Sequence, residues 1–320
     1  MIVYSQQITN RLRYICDFIG NEIIGKPFTV TNSIEAFSAD PGPRINYSDD
    51  RVNSSDLWIQ PHTLLFETNI REQPVECFVD SGYTIFFKTQ GDIPFDLFSA
   101  CFYLLSRYEE YLPHQKDVYG RYAHENSIAF REQFLDIPLI DTWLQHFRER
   151  LHNRYTSLAI HQPGFSFLPT YDIDEAYSFK YKQWWRSLGA TVRDLSKGRR
   201  SRALLRNKVL QNKVSDPFDS FDWIDSINER YVLHPLYFFL VAAKTGKYDK
   251  NILPTEKPLQ DLITRHAQKY SLGVHPSWQS YGQLPVIKSE IETLETISGQ
   301  KIISSRQHFI SSNCRKLTGC

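Results

Sequence analysis

The chain has 320 residues, 41% hydrophobic and 23% charged, with 14 Gly and 16 Pro, which excludes a disordered, collagen-like or coiled-coil chain and suits two domains or one large barrel with an extension. Its 37 Lys+Arg against 36 Asp+Glu leave a net charge of +1, too little for a global field that would hold a polyanion, so nucleic acid is not an expected partner. No run reaches the ~18 apolar residues needed to span a bilayer, and no transmembrane segment is expected.

Residues 6–24 carry Ile8, Leu12, Ile15, Phe18 and Ile19 at helical spacing, and residues 26–31 read as a strand. Short strands are expected at 57–59 and 64–66 around a turn, and another at 83–87. Residues 94–112 read as a helix that starts near Pro94-Phe95-Asp96 and stops before Pro113; a second covers 139–152. From Gly164 the texture changes to alternating strand and helix: strands end near Asp172 and at 236–241, 272–274 and 302–305, with helices at 216–230, 258–270 and 286–297. The fold class expected is therefore α/β, with a mixed α/β domain over residues 1–163 and a parallel sheet or barrel over 164–320. Residues 196–215 hold seven Lys or Arg and no acid, which reads either as a solvated insertion or as a contact with an anionic polymer or membrane surface.

In parallel α/β architectures, ligands gather where strands end at their carboxyl side. Here Asp172 and Asp174 follow the first strand of the second domain, His275 the third, and Arg306 and His308 the fourth. In extended backbone Asp172 and Asp174 point the same way, so one can bind a metal while the other takes a proton. Each residue has a plainer reading, as a strand end, a cap, a core histidine or an ion-pair partner; common placement after three strands is what joins them. Carboxylate and imidazole ligands suit zinc or a similar divalent ion.

Thr170-Tyr171-Asp172-Ile173-Asp174, then Gly273-Val274-His275-Pro276-Ser277, then Ser305-Arg306-Gln307-His308-Phe309, in that order, resemble the polysaccharide deacetylase superfamily, the NodB-like carbohydrate esterases. Pro94-Phe95-Asp96-Leu97-Phe98, residues 106–111 and residues 120–126 resemble the domain of unassigned function that precedes the deacetylase domain in some bacterial members. The resemblance implies a deformed (β/α) barrel that removes an N-acetyl group from a sugar with a metal-bound water. By position it implies Asp172 as general base, Arg306 as the residue that orients it, and Asp174 and His275 as metal ligands. Gln279 stands where the family usually supplies a second metal histidine; His308 either replaces it or fills the barrel mouth.

A (β/α) barrel takes typically ~250 residues, and residues 164–320 are fewer, with four strands visible. After Phe309 the apolar period and the resemblance both stop, so the barrel is expected to be incomplete, from a truncated or frame-shifted chain lacking the later motif that carries the general-acid histidine. The expected function is a metal-dependent hydrolase acting on an N-acetylated glycan or sugar precursor. The alternatives are a non-catalytic carbohydrate-binding or assembly protein, or an inactive deacetylase fragment. Five scattered cysteines without a C-x-x-C pair, and no signal-peptide pattern at the amino terminus, predict a reducing, cytoplasmic setting. That setting favours a soluble or lipid-linked carbohydrate substrate over mature wall polymer.

Overall fold

A computed structural model describes residues 1–161 and 164–308. The expected break in pattern after Phe309 lies outside the described residues. The chain divides between Gly164 and Phe165 into two compact units. Both are α/β with parallel sheets.

The first unit is built on four short parallel strands, β1 (Ile2–Tyr4), β2 (Thr29–Thr31), β3 (Arg44–Tyr47) and β4 (Leu57–Ile59), in the order β2-β1-β3-β4. Helix α1 (Asn10–Ile24) begins where the Thr9 hydroxyl accepts a hydrogen bond from Leu12 N, and ends at Gly25, whose φ of 69° closes the last turn. Helix α2 (Ile34–Ala39) follows β2, and an antiparallel hairpin, β5 (Cys77–Asp80) and β6 (Tyr83–Phe86), precedes α3 (Leu97–Leu105), α4 (Ile128–Arg131) and α5 (Leu139–Arg154). Strand alternation decides which layer each side chain joins. Val3, Ile45 and Ile59 enter the large core with Leu12, Ile19 and Phe147, whereas Ile2 and Tyr4 face Phe37 of α2.

Two departures from the sequence reading have local causes. Strands β1 and β3 were not expected, because three or four residues give too little alternation to register beside the helical period of α1. Residues expected as a strand at 64–66 form a 3-10 turn, Thr63–Phe66, which buries Leu64 and Leu65 together rather than on opposite faces. Asp96, fully buried, ties these parts together: it caps α3 through Ser99 N at 3.0 Å and accepts from Tyr47 Oη at 2.8 Å and His62 N at 2.6 Å. Burial raises its carboxyl above the ordinary range despite these donors.

The second unit holds a parallel sheet in the order β7-β8-β9, from β7 (Thr170–Ile173), then helices α6 (Trp184–Ser196), α7 (Arg200–Leu210) and α8 (Phe221–Arg230), β8 (Leu236–Phe239), α9 (Lys257–Ala267), β9 (Ser271–Val274) and α10 (Leu284–Ser298). The register sets Tyr171, Tyr237 and Leu272 in one row and Ile173, Phe239 and Val274 in the next, and both rows join the core with Leu259, Ile263 and Leu294 of the helices. The opposite face carries Thr170, Asp172, Leu236, Phe238 and Gly273. Gly273 is required there, because a Cβ at this position would lie 2.5 Å from the Phe238 ring.

The expected fourth strand at 302–305 is reduced to one parallel bridge, Val274 with Ser305, made by Val274 N to Ser304 O and Arg306 N to Val274 O, each 3.0 Å. Ile302 is buried and Ile303 is exposed, so the segment alternates like a strand but pairs for only two hydrogen bonds. The basic stretch, read as a solvated insertion or an anionic contact, contains α7, whose Ala203, Arg206 and Val209 are buried and whose Arg206 bonds Asp194 of α6, while its other cations are exposed. Among the described residues no helix is long and apolar enough to cross a membrane.

Asp216 was expected to open the helix at 216–230, but α8 starts at Phe221 and Asp216 serves another segment. Its carboxylate accepts from the backbone N–H groups of Ser178, Phe179 and Lys180 at 2.7, 2.8 and 2.9 Å, and from Phe218 N at 3.0 Å. Burial pushes this carboxyl up, and the four donors outweigh burial and hold it below the ordinary range. A depressed native value stabilises the fold above the unfolded carboxylate's pKa of ~3.9, and that stability is lost as pH falls through the native value. Asp216→Asn is expected to cost about 2 kcal/mol at neutral pH. Urea unfolding followed by circular dichroism at ~pH 7 and ~pH 3 should show the difference from wild type shrinking in acid; an equal difference at both would assign Asp216 no ionic role.

Candidate metal centre

Three connections converge at the carboxyl ends of β7 and β9. Asp174 is the first residue beyond β7, His275 the first beyond β9, and His308 lies beyond the Ser305 bridge. Asp174 Oδ1 lies 2.7 Å from His275 Nε2 and 3.0 Å from His308 Nδ1, and the two ring nitrogens are 3.1 Å apart. All three ligand atoms thus fall within 4.8 Å of one another. His275 is buried, His308 is half-buried and Asp174 is exposed, so the cluster is fixed from beneath and open above.

The outer hydrogen bonds of the imidazoles decide what the inner nitrogens present. His275 Nδ1 lies 2.5 Å from Arg306 O, and His308 Nε2 lies 3.3 Å from Tyr248 O. Carbonyl oxygens only accept, so each of these nitrogens donates its hydrogen outward. With both rings neutral, His275 Nε2 and His308 Nδ1 then turn lone pairs toward each other and toward the Asp174 carboxylate. Three acceptors facing one point need a cation or a shared proton between them. Burial lowers the His308 imidazole, and the Asp174 carboxylate outweighs that and raises it overall; Asp174 in turn is held well below the usual carboxylate range by the two histidines against the effect of its burial.

This donor set fits a divalent ion such as zinc. Tetrahedral bonds of ~2.0–2.1 Å put neighbouring ligand atoms ~3.3 Å apart, so separations of 2.7–3.1 Å need to open by about 0.2–0.6 Å. Each histidine already has the outward hydrogen bond to a backbone carbonyl that fixes a metal ligand's tautomer.

The loop that carries His275 is held at three points. Ser277 N donates to the buried Glu290 carboxylate at 3.1 Å, Trp278 N donates to Asp249 Oδ1 at 2.8 Å, and the Trp278 ring packs 4.6 Å from Tyr248. Gln279 is not among the three converging residues: its amide donates to Lys244 O and to Asp249 Oδ2. Tyr248 and Asp249 escaped the sequence reading, although they follow β8 and the rule applied to the other strand ends points to that loop as well.

Asp172 and Arg306 form a neighbouring pair on the same face of β7. Arg306 Nη1 donates to Asp172 Oδ1 at 3.1 Å and Nη2 to Thr170 Oγ1 at 2.8 Å, while the guanidinium lies 4.7 Å above the Phe238 ring. Two bonds and a ring contact fix one arginine in one orientation, and the arginine fixes the carboxylate.

In the first unit, Glu109 accepts from Ile128 N at 2.9 Å, and its neighbour Glu110 pairs with Arg107. Glu109, Tyr103, His114, Tyr122 and Arg131 line a cavity of about 470 Å³. His124 meets Glu125 at the exposed surface, 3.3 Å away. None of these reaches a three-ligand arrangement.

The fold and its site therefore define a parallel α/β unit with a two-histidine, one-carboxylate cluster at the strand ends. Residues 1–156 match the model of a family described as a family of unknown function (DUF7033), which falls within the first unit and does not extend to this cluster. No curated protein and no solved structure matches the chain.

Loss of a ligand should exceed the ~10–100-fold cost typical of removing an outer-shell partner. Chelator competition should therefore show Asp174→Ala, His275→Ala and His308→Ala each weakening zinc binding by more than about tenfold, with Gln279→Ala close to wild type. Wild-type affinity in His308→Ala would remove His308 from the ligand set.

Proposed function

We propose that the second unit is a metal-dependent hydrolase, built as part of a deformed (β/α) barrel of the polysaccharide deacetylase type, that removes N-acetyl groups from a glycan or sugar precursor. The observation that carries this reading is the convergence of Asp174, His275 and His308 beside an Asp172 already oriented by Arg306. Asp174, His275 and His308 would hold the ion, zinc by its donors, which when bound supplies Lewis acidity toward an amide carbonyl and a water of lowered pKa.

The chain's own groups then have separate tasks. Asp172 accepts the proton released as water adds to the carbonyl carbon, and Arg306 keeps that carboxylate aimed. Arg306 O and Tyr248 O hold both imidazoles in the tautomers that leave the inner nitrogens free of hydrogen. Collapse of the adduct breaks the C–N bond as the proton held by Asp172 passes to the leaving nitrogen, so that acetate and the amino sugar leave and Asp172 is again a carboxylate. The exposed face of Asp172 and Asp174 gives a sugar chain access from the open side of the sheet. A cytoplasmic placement is part of the same proposal, consistent with free thiols at Cys16, Cys77 and Cys101.

Acetate release from N-acetylglucosamine oligosaccharides by the zinc-loaded full chain tests the assignment. Asp172→Asn should lower turnover by about 10²–10⁴-fold while zinc content stays at the wild-type level, and His275→Ala should lose both. Oligosaccharide binding by a zinc-loaded wild type that releases no acetate would support the carbohydrate-binding alternative and remove the hydrolase.

A further inference from the structure

Helix α6 directs much of its apolar surface away from the protein. Trp184, Trp185, Leu188, Val192 and Leu195 are 77, 57, 59, 60 and 52% exposed. At ~100° per residue these five side chains fall within a ~100° arc, an uninterrupted stripe along the helix. Isolated exposed apolar residues are ordinary, but a contiguous stripe marks a surface that meets something.

The other side of α6 is already in use. Arg206 of α7, itself buried, donates to Asp194 Oδ2 at 2.7 Å and to Thr191 Oγ1 at 3.0 Å, and its guanidinium lies 5.1 Å above the Phe179 ring. A turn through Gly198, at φ 70°, lets Arg199 N reach Asp194 O at 2.7 Å. The hairpin is thus fastened by its inner face, through bonds and a ring contact that use none of the stripe residues.

Charge identifies the occupant. Residues 195–215 contain seven cations, Lys197, Arg199, Arg200, Arg202, Arg206, Lys208 and Lys213, and no acid. All but Arg206 are exposed, and Leu204 stands among them at 63% exposure. A second copy of the hairpin would set this tract against its like, which costs energy. A nucleic acid would satisfy the cations and leave the aliphatic stripe in water. An anionic bilayer surface satisfies both: lipid headgroups neutralise the cations, tryptophan pairs favour the interfacial depth, and leucine and valine reach the acyl boundary. At 13 residues, α6 is ~20 Å long, suited to lying in the interface rather than crossing it.

We propose that the α6–α7 hairpin docks the protein peripherally on anionic membrane surfaces, with α6 in the plane of the headgroups. The proposal is independent of the metal cluster. Co-sedimentation of the full chain with vesicles of phosphatidylcholine alone, and of phosphatidylcholine mixed with phosphatidylglycerol, tests it. Binding is expected to the mixed vesicles only, with a blue shift in tryptophan emission. Lys197→Glu/Arg200→Glu/Lys208→Glu should weaken binding by about a hundredfold, at roughly fivefold for each cation removed from the surface. Trp184→Ser/Trp185→Ser/Leu188→Ser should abolish the blue shift. These side chains are exposed, so both variants should keep the wild-type circular dichroism and unfolding midpoint. Failure to bind either vesicle, or equal binding to both, would overturn the proposal. So would concentration-dependent dimers, or retention on single-stranded DNA, in a protein that does not sediment with vesicles.

Discussion

The candidate site rests on the hydrogen-bonded register of β7, β8 and β9. Because the three strands run parallel and in step, their carboxyl ends lie at one edge, and the residues that follow them share one small volume. Asp174 and His275, separated by a hundred residues of chain, become neighbours through that register. The two hydrogen bonds of the bridge to Ser305, and a third from His308 N to Pro276 O, extend it to Arg306 and His308. Gly273 makes the middle of the sheet possible, since a side chain there would collide with Phe238, the ring over which Arg306 lies.

The same register divides labour between the two faces. The rows of Tyr171–Tyr237–Leu272 and Ile173–Phe239–Val274 bury apolar area beneath the helices and hold the sheet. The opposite rows lie outside that core and carry Thr170 and Asp172 beside the buried Phe238. A carboxylate and a guanidinium persist on that face at partial exposure because each satisfies the other and neither has to be fully desolvated. At the strand ends the balance differs: His275 is buried, its outer nitrogen donates to a backbone carbonyl, and its inner nitrogen faces Asp174 and His308, the acceptors that a cation would join.

Much of the second unit was legible because its signals are local. The apolar run at 236–239, the helical periods that became α9 and α10, and the order of the three motifs can all be read without a partner segment. The limits were equally physical. The helix expected at 216–230 begins on Asp216, yet the carboxylate of that residue is used by the backbone of residues 178–180, a relation no spacing rule contains. Trp184 and Trp185 drew no reading from the sequence; only α6 sets them in line with Leu188, Val192 and Leu195. In the first unit, Asp96 lay within a motif the sequence singled out, but its task of joining Tyr47, His62 and α3 depends on three distant segments.

The sequence by itself determined the α/β class, the position of most helices, and a short list of polar residues placed after strands, because periodicity and strand-end position are written in neighbouring residues. Only the tertiary structure decided that His308 rather than Gln279 stands with Asp174 and His275, and that Arg306 grips Asp172. It also decided that a basic stretch forms a helix bearing against an apolar-faced partner. The reason is one of dimension: side-chain chemistry is local, but convergence depends on the angle and register at which separated segments pack, and those are fixed by the whole sheet and its helices rather than by any segment alone.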